Sequence, residues 1–419
     1  MKSRLEKFFI RTLALASVGV IAIGRNGVGA RSHVAVLYED YHQRGSSKVV
    51  VFEGCQNIPS DFNDKASSID SRGDCIRLYE NRCCQGRSIE LPAKSPLIDD
   101  LYNAEFDDVV SSISPCGSYS SPQPPSLLQE NWLNHSELLD KVFSDDDVVV
   151  YYDNDVSRRI KWPHKYVGDA WRYVKKNYFL DQIAGLTRNE KLHVIFHTGK
   201  AYMHYNSSAL TYFDVSSECR NIIDITSGDN DTIKWTENKG DPLDIISEQF
   251  GNMVIYLYRG GKDAPTFHYL NKGDEDFVKI ITFDMYRGLN MSTEQERFFY
   301  KALTSKTAGT ETERNYVNWF KDWYFPIYQK HGELGVLRKY LKLSAAYYPT
   351  VADTRHFNVT ESESENGPTL QMNLGEFVHF WSGVTHTNLQ KLAINAFGWT
   401  MLNEYQLIQA QKDFPKLSY

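Results

Sequence analysis

The hydrophobic rhythm of the chain changes twice. Over residues 33–91 short alternating runs, VAVLY, KVVVFEG, CIRLYE and SIEL, are broken by Gly, Asn, Asp and Ser. A period of two bounded by turn formers predicts β-strands. The stretch GSYSSPQPPS at 117–126 then carries no apolar periodicity. Its Ser and Pro content is that of a semi-rigid linker. Beyond it DVVVYYD and LHVIFHTG predict two more strands, after which long helical patterns run to the C terminus.

These shifts predict a multidomain chain: an all-β unit over 33–117, a linker and connecting segment over 118–143, and a helix-rich α+β domain over 144–419. Residues 1–30 stand apart. A basic start (Lys2, Arg4, Lys7, Arg11), an apolar run at 12–24 and small residues at Val28 and Ala30 form the layout of a secretory signal peptide cut after Ala30. The apolar run is too short to span a bilayer, and the chain is expected to be secreted and extracellular with no membrane span. Sequons at Asn134, Asn206, Asn230, Asn290 and Asn358 suit such a glycoprotein.

Composition narrows the partners. With 42% hydrophobic residues in 419, real cores can be buried, and a formal charge of −7 supplies no basic field for a phosphate backbone. No nucleic acid partner is expected. Six cysteines fit an oxidising compartment. Five of them, Cys55, Cys75, Cys83, Cys84 and Cys116, crowd the β unit, where one or two disulfides are expected. Connectivity cannot be read from sequence; Cys75 with Cys116 is preferred because they bracket one unit, and Cys219 is expected to be a buried small hydrophobe.

The β unit repeats itself at roughly forty residues. LYEDYHQRG leads to FNDKASSI, and LYENRCCQGRSIEL leads to FDDVVSSI. This pair resembles the βγ-crystallin fold, two Greek-key motifs that each carry a Tyr-led hairpin and an (Asn/Asp)(Asn/Asp)xx(Ser/Thr)Ser loop. The loop motif is complete twice, as Asn63, Asp64, Ser67, Ser68 and as Asp107, Asp108, Ser111, Ser112. The resemblance implies calcium held by Asp64, Ser67, Asp108 and Ser111 with the carbonyls of Lys65 and Val109. Hard oxygen donors in tight loops are what calcium requires, although the same side chains also cap turns without metal. Both hairpins depart from the family: the aromatic five residues after the leading Tyr is Gln43 in one and Cys84 in the other.

In the second domain, DPLDIISEQFGNMV at 241–254 resembles the helix DPxDIISHExGHxV of secreted zincin-like metallopeptidases. There HExxH sets two imidazoles one turn apart to bind zinc and places a glutamate as general base. Here those positions are Glu248, Gln249 and Asn252. Gln249 accepts no proton, and Asn252 is a poor zinc ligand. The blocks YVNWFKDWYFPIYQKHG, GEFVHFWSGV, LAINAFGW and QAQKDFP extend the resemblance over roughly 145–415, and their aromatic spacing reads as core packing. The family's third zinc ligand, a glutamate on the next helix, aligns with Lys279, whose ammonium is expected to occupy the vacated position and pair with Glu248. His193 and His197 share a strand face and are expected to be structural rather than zinc ligands.

The expectation is therefore a degenerate site with no catalytic residue, in a protein that binds a protein or peptide, with calcium as the cofactor and zinc not expected. Two alternatives remain. One is an active hydrolase rebuilt on Glu248 with His193, His197 or Asp284; the other is a calcium-stabilised adhesive or inhibitory structural protein.

Overall fold

The computed structural model describes residues 32–419 except 53, 96–97, 117–123, 131, 133–134, 136, 180–190, 199–206, 212–216, 218, 227–234, 260–270, 306, 309–315 and 348–371. The expected signal peptide lies outside these residues, as do the sequons at Asn134, Asn206, Asn230 and Asn358. Asn290 is exposed in the turn between two helices, at φ 57°.

Seven strands build the first unit: β1 (His33–Asp40), β2 (Arg44–Phe52), β3 (Gln56–Asn57), β4 (Ser68–Asp70), β5 (Ile76–Asn81), β6 (Gln85–Leu91) and β7 (Ser112–Pro115). They form two sheets, ordered β2-β1-β4 and β3-β7-β5-β6. The third strand of the first motif thus crosses to the sheet of the second, and the motifs interlock. Ala35, Leu37, Val50, Phe52, Ile69, Ile76, Leu78, Phe106 and Ile113 fill the space between them. The alternation in β1 and β2 follows directly: Val50 and Phe52 point inward while Val49 and Val51 stay exposed.

The hairpins fold in spite of Gln43 and Cys84. In each, a motif serine locks the turn: Ser68 Oγ donates to the Asp40 carbonyl at 2.6 Å and accepts from the Gln43 N–H at 2.9 Å. Ser112 repeats this with the Asn81 carbonyl at 2.6 Å and the Cys84 N–H at 2.8 Å. Gly45 and Gly86 complete the turns at φ 76° and 74°, where a Cβ would strike Asp40 and Asn81 at 2.6 and 2.5 Å. The lock is a serine bridging backbone groups, so the missing aromatics are dispensable.

Three disulfides are present. Cys55–Cys84 and Cys75–Cys116 lie within this unit, the second as expected. Cys219 departs from its expected role as a lone hydrophobe: it bonds Cys83 and ties the first unit to the second across a sequence separation of 136.

The second unit is organised on a six-stranded sheet ordered β12-β13-β11-β10-β9-β8, from β8 (Leu127–Gln129), β9 (Leu138–Ser144), β10 (Val148–Tyr152), β11 (Leu192–Phe196), β12 (Ser208–Leu210) and β13 (Ile222–Ile225). Strands β8 and β9 fall in the segment expected to be linker and connection over 118–143. The disagreement has a simple source, since β8 is the edge strand and β9 its neighbour, and the exposed positions of both dilute the apolar alternation. The centre, β10, β11 and β13, is parallel.

Both faces of that centre are covered. Val148, Val150, Tyr152, Val194, Phe196, Ile223 and Ile225 pack toward the helices, whereas Val149, Tyr151, Ile195 and Ile222 pack with Leu128, Trp132 and Leu139 on the opposite face. Among the described residues the helices are α1 (Trp162–Tyr178), α2 (Asp241–Arg259), α3 (Asn271–Gly288), α4 (Ser292–Thr304), α5 (Phe325–Lys330), α6 (Leu334–Tyr347), α7 (Leu374–Thr385), α8 (Gln390–Phe397) and α9 (Met401–Asp413). The aromatic blocks are core, as their spacing predicts. Tyr340 and Trp381 stack at 4.0 Å, and Trp319 and Trp323 close on Phe397 at 4.5 and 5.2 Å.

If the serine bridges hold the hairpins, Ser68→Ala and Ser112→Ala should each cost about 1–3 kcal/mol in denaturant unfolding, because two backbone groups lose their partner. The exposed Ser47→Ala on β2 should stay within about 0.5 kcal/mol of the parent.

Candidate functional site

The two loops after β3 and before β7 face one another through a near two-fold relation. Asp64 and Asp108 both take left-handed backbone, at φ 56° and 53°. Their N–H groups reach across, Asp64 to the Val110 carbonyl and Asp108 to the Ala66 carbonyl, each at 3.2 Å. The side chains cross as well. Ser111 Oγ donates to Asp64 Oδ1 at 2.9 Å, and the Ser67 hydroxyl bonds the Asp108 carboxylate.

Each loop therefore offers its serine oxygen beside the acid of the other. Burial and the adjacent Asp107 push the Asp108 carboxyl above its ordinary range, with Glu39 and Asp64 adding to the effect. One further oxygen in each motif, Asn63 Oδ1 and Asp107 Oδ1, is buried without a hydrogen-bond partner. Crowded anionic oxygens and two orphaned acceptors fit a hard cation. Asp64, Ser67, Asp108 and Ser111, with the carbonyls of Lys65 and Val109, are the groups that would hold calcium here.

The second candidate lies on α2. Its start is pinned by α4: the buried Asp244 carboxylate takes Lys301 Nζ at 2.8 Å, the Tyr286 hydroxyl at 2.8 Å and both terminal nitrogens of Arg297. Lys301 also reaches Asp241 at 2.8 Å. Acidic residues in the first turn suit the helix dipole. Further along, Gly251 lets α3 approach so closely that a Cβ would meet Val278 at 2.9 Å.

Between these constraints sit the substituted positions. The Asn252 amide donates to Gln249 Oε1 at 3.1 Å, so one hydrogen bond joins the two amides. Glu248 is partly buried and, among the described residues, makes no hydrogen bond or ion pair. Burial and the Asp244 carboxylate push its carboxyl up to about 7, against the opposing pull of Lys301 and Lys279.

The expected pair between Lys279 and Glu248 does not form. Lys279 Nζ bonds Asp276 at 2.6 Å and Ser305 at 2.7 Å instead. The nearer carboxylate, one helical turn back on α3, wins the ammonium. A rebuilt hydrolytic centre is not assembled from the other candidates either. Asp284 accepts hydroxyls from Tyr173, Tyr178 and Tyr328 at 2.8, 2.8 and 2.7 Å. His193 stacks on Tyr151 and is held neutral, burial pushing it down to about 3. Among the described residues, no three metal-binding side chains converge at Glu248.

Sequence reading missed Asp244 as the anchor of α2 and Asp284 as a buried acceptor. The signal was weak: Arg297 and Lys301 are spaced four apart on α4, a basic stripe that reads equally as a solvated helix face.

No protein-family model and no curated protein sequence matches the chain. Among solved structures, an archaeal βγ-crystallin is similar at 24% identity over 20% of this chain and all of its own, with a TM-score of 0.18. A βγ-crystallin from Ciona intestinalis matches at 22% over 20% of this chain and 99% of its own, TM-score 0.17. A functionally unknown conserved protein from Bacillus anthracis str. Ames spans 92% of this chain and 69% of its own at 10% identity, TM-score 0.40. No activity is carried over from any of them.

Added calcium should raise the unfolding temperature in a scanning calorimeter, and the double variant Asp64→Ala, Asp108→Ala should lose that rise, since an ion bound only by the native state stabilises it by mass action. An unchanged rise in the variant would remove these loops as the site. A second expectation concerns pH. Because the native Glu248 carboxyl titrates near 7 rather than 4.5, its contribution is fully present below about pH 4.5 and lost as pH rises through 7. Glu248→Gln should match the parent near pH 4 and exceed it near pH 8, by on the order of 2 kcal/mol in denaturant unfolding.

Proposed function

We propose that this is a secreted protein in which a calcium-binding crystallin-like module is joined to a metallopeptidase-like domain that no longer hydrolyses and instead binds a protein or peptide. The observation that carries this reading is the pairing of Gln249 with Asn252 beside an unpartnered Glu248. The amides that replace base and ligand engage one another, and neither accepts a proton from water or supplies an imidazole. Loss of a general base alone removes about a hundredfold to ten-thousandfold in rate. Losing zinc also removes the means of acidifying bound water.

What remains on α2 is one neutralisable, half-buried carboxyl beside the half-buried Asn252 amide, groups suited to hydrogen-bonding a peptide backbone. The three disulfides favour an oxidising compartment, and no helix among the described residues is long and apolar enough to cross a membrane. The crossed Asp64–Ser111 and Ser67–Asp108 contacts favour calcium as the stabiliser of the first module.

The immobilised protein should enrich a subset of a displayed peptide library, with enrichment weakened by Glu248→Arg, and should cleave none of the same peptides in solution. Chelator-sensitive cleavage by the purified protein would overturn this reading.

A further inference from the structure

On the face of the sheet opposite α1 and α2, five ionisable side chains meet out of contact with solvent. Asp153 follows the carboxyl end of β10, His197 follows that of β11, and Asp224 lies in β13. Glu130 follows β8, and His135 comes from the segment between β8 and β9. All five are at most 6% exposed. The carboxyl ends of adjacent parallel strands are where open α/β sheets place ligands.

The donor atoms lie close enough together for one ion to reach all four. His197 Nε2 lies 3.1 Å from Glu130 Oε1 and 3.2 Å from Asp224 Oδ1. Glu130 Oε1 lies 3.7 Å from His135 Nδ1, and all four donor atoms fall within 4.8 Å of one another. Bonds of 2.0–2.2 Å at tetrahedral angles set neighbouring donors about 3.3–3.5 Å apart. The other nitrogen of His197, Nδ1, sits 3.0 Å from Asp153 Oδ2. A carboxylate on the remote ring nitrogen is the arrangement that turns the opposite lone pair toward a metal.

Two details ask for a cation. With Nδ1 donating to Asp153, the Nε2 lone pair of a neutral His197 would face two carboxylate oxygens with nothing positive between them. In addition, Glu130 Oε2 is buried and has no hydrogen-bond partner among the described residues, although the Glu130 side chain is wholly enclosed.

We propose that Glu130, His135, His197 and Asp224 bind one divalent transition-metal ion, zinc by the balance of its donors, as a closed structural site oriented by Asp153. Two imidazoles exclude calcium and magnesium, which take oxygen ligands, and two carboxylates neutralise a dication. The Trp132 indole N–H caps Asp224 Oδ2 at 3.0 Å, and the Trp235 indole N–H holds the His197 carbonyl at 2.8 Å. Enclosed on every side, the ion has no open position for water, so this site stabilises the sheet and hydrolyses nothing.

The test uses the full disulfide-bonded chain, loaded with zinc, dialysed and analysed for metal. One equivalent of zinc should remain, should persist in Glu248→Gln and in Asp64→Ala with Asp108→Ala, and should fall at least tenfold in affinity in His197→Gln and Asp224→Asn. Should those variants fold poorly, the parent supplies a second measurement: cobalt(II) in place of zinc should give the intense visible bands of a tetrahedral site, and chelation should lower the unfolding temperature. No retained metal with an unfolding temperature indifferent to zinc and chelator, or an octahedral cobalt spectrum, would overturn the proposal and leave a network of protonated histidines. The outcome is separable from the peptide-binding reading, which concerns cleavage and enrichment at Glu248.

Discussion

The second unit depends on one constraint: β10, β11 and β13 are buried on both faces. A parallel sheet covered on two sides has no water with which to satisfy a polar group, so each one that enters must bring its partner. On the helix side the strands meet this condition by offering only apolar residues. On the other side they do not, and the consequences are severe. His193 survives as a neutral ring stacked on Tyr151, while His197, Asp153 and Asp224 bond to one another and to groups carried in by the β8–β9 segment. That segment is therefore a part of the core rather than a tether, which is why Trp132 is 1% exposed.

The same logic governs α2. Asp244 would be an uncompensated buried charge without Arg297 and Lys301, and removal of one partner of such a set is far more damaging than replacement of all. The substituted positions lie one turn further on, where the helix is already held at its start by α4 and against Val278 by Gly251. A helix secured by contacts away from positions 248, 249 and 252 tolerates varied side chains there. Gln249, Asn252 and Lys279 each found local partners, and Glu248 has none among the described residues.

Much of the architecture was legible in the residues. The period-two runs became β1, β2, β5 and β6, the apolar runs DVVVYYD and LHVIFHTG became the central strands, and the repeated loop motif became a pair of crossed loops. Hairpin closure was harder to foresee, because the family aromatic is absent and the serine bridge that suffices is a contact between residues about thirty apart. Strands β8 and β9 were hidden by their many exposed positions. The Lys279 contact failed for a different reason: spacing along α3 favours Asp276 over any residue on another helix, and only the packed structure shows which carboxylate is nearer. The sheet cluster was the least visible of all. Its members come from four separate segments, and only the Asp153 and His197 that follow two apolar strand runs marked them.

Cys83 and Cys84 are neighbours that pair in opposite directions, one forward to Cys219 and the other back to Cys55. During synthesis the first five cysteines emerge together while Cys219 is still about a hundred residues away, a delay of roughly 5–20 s at ~5–20 residues per second. Five thiols form at most two bonds, so one is left over, and two adjacent ones compete for the same partner. Exchange must be able to correct the wrong choice. The last bond closes only when Cys219, just ahead of β13, has been brought against the finished hairpin of β5 and β6. Oxidation of Cys83 is thus a chemical record that both halves of the chain have matured.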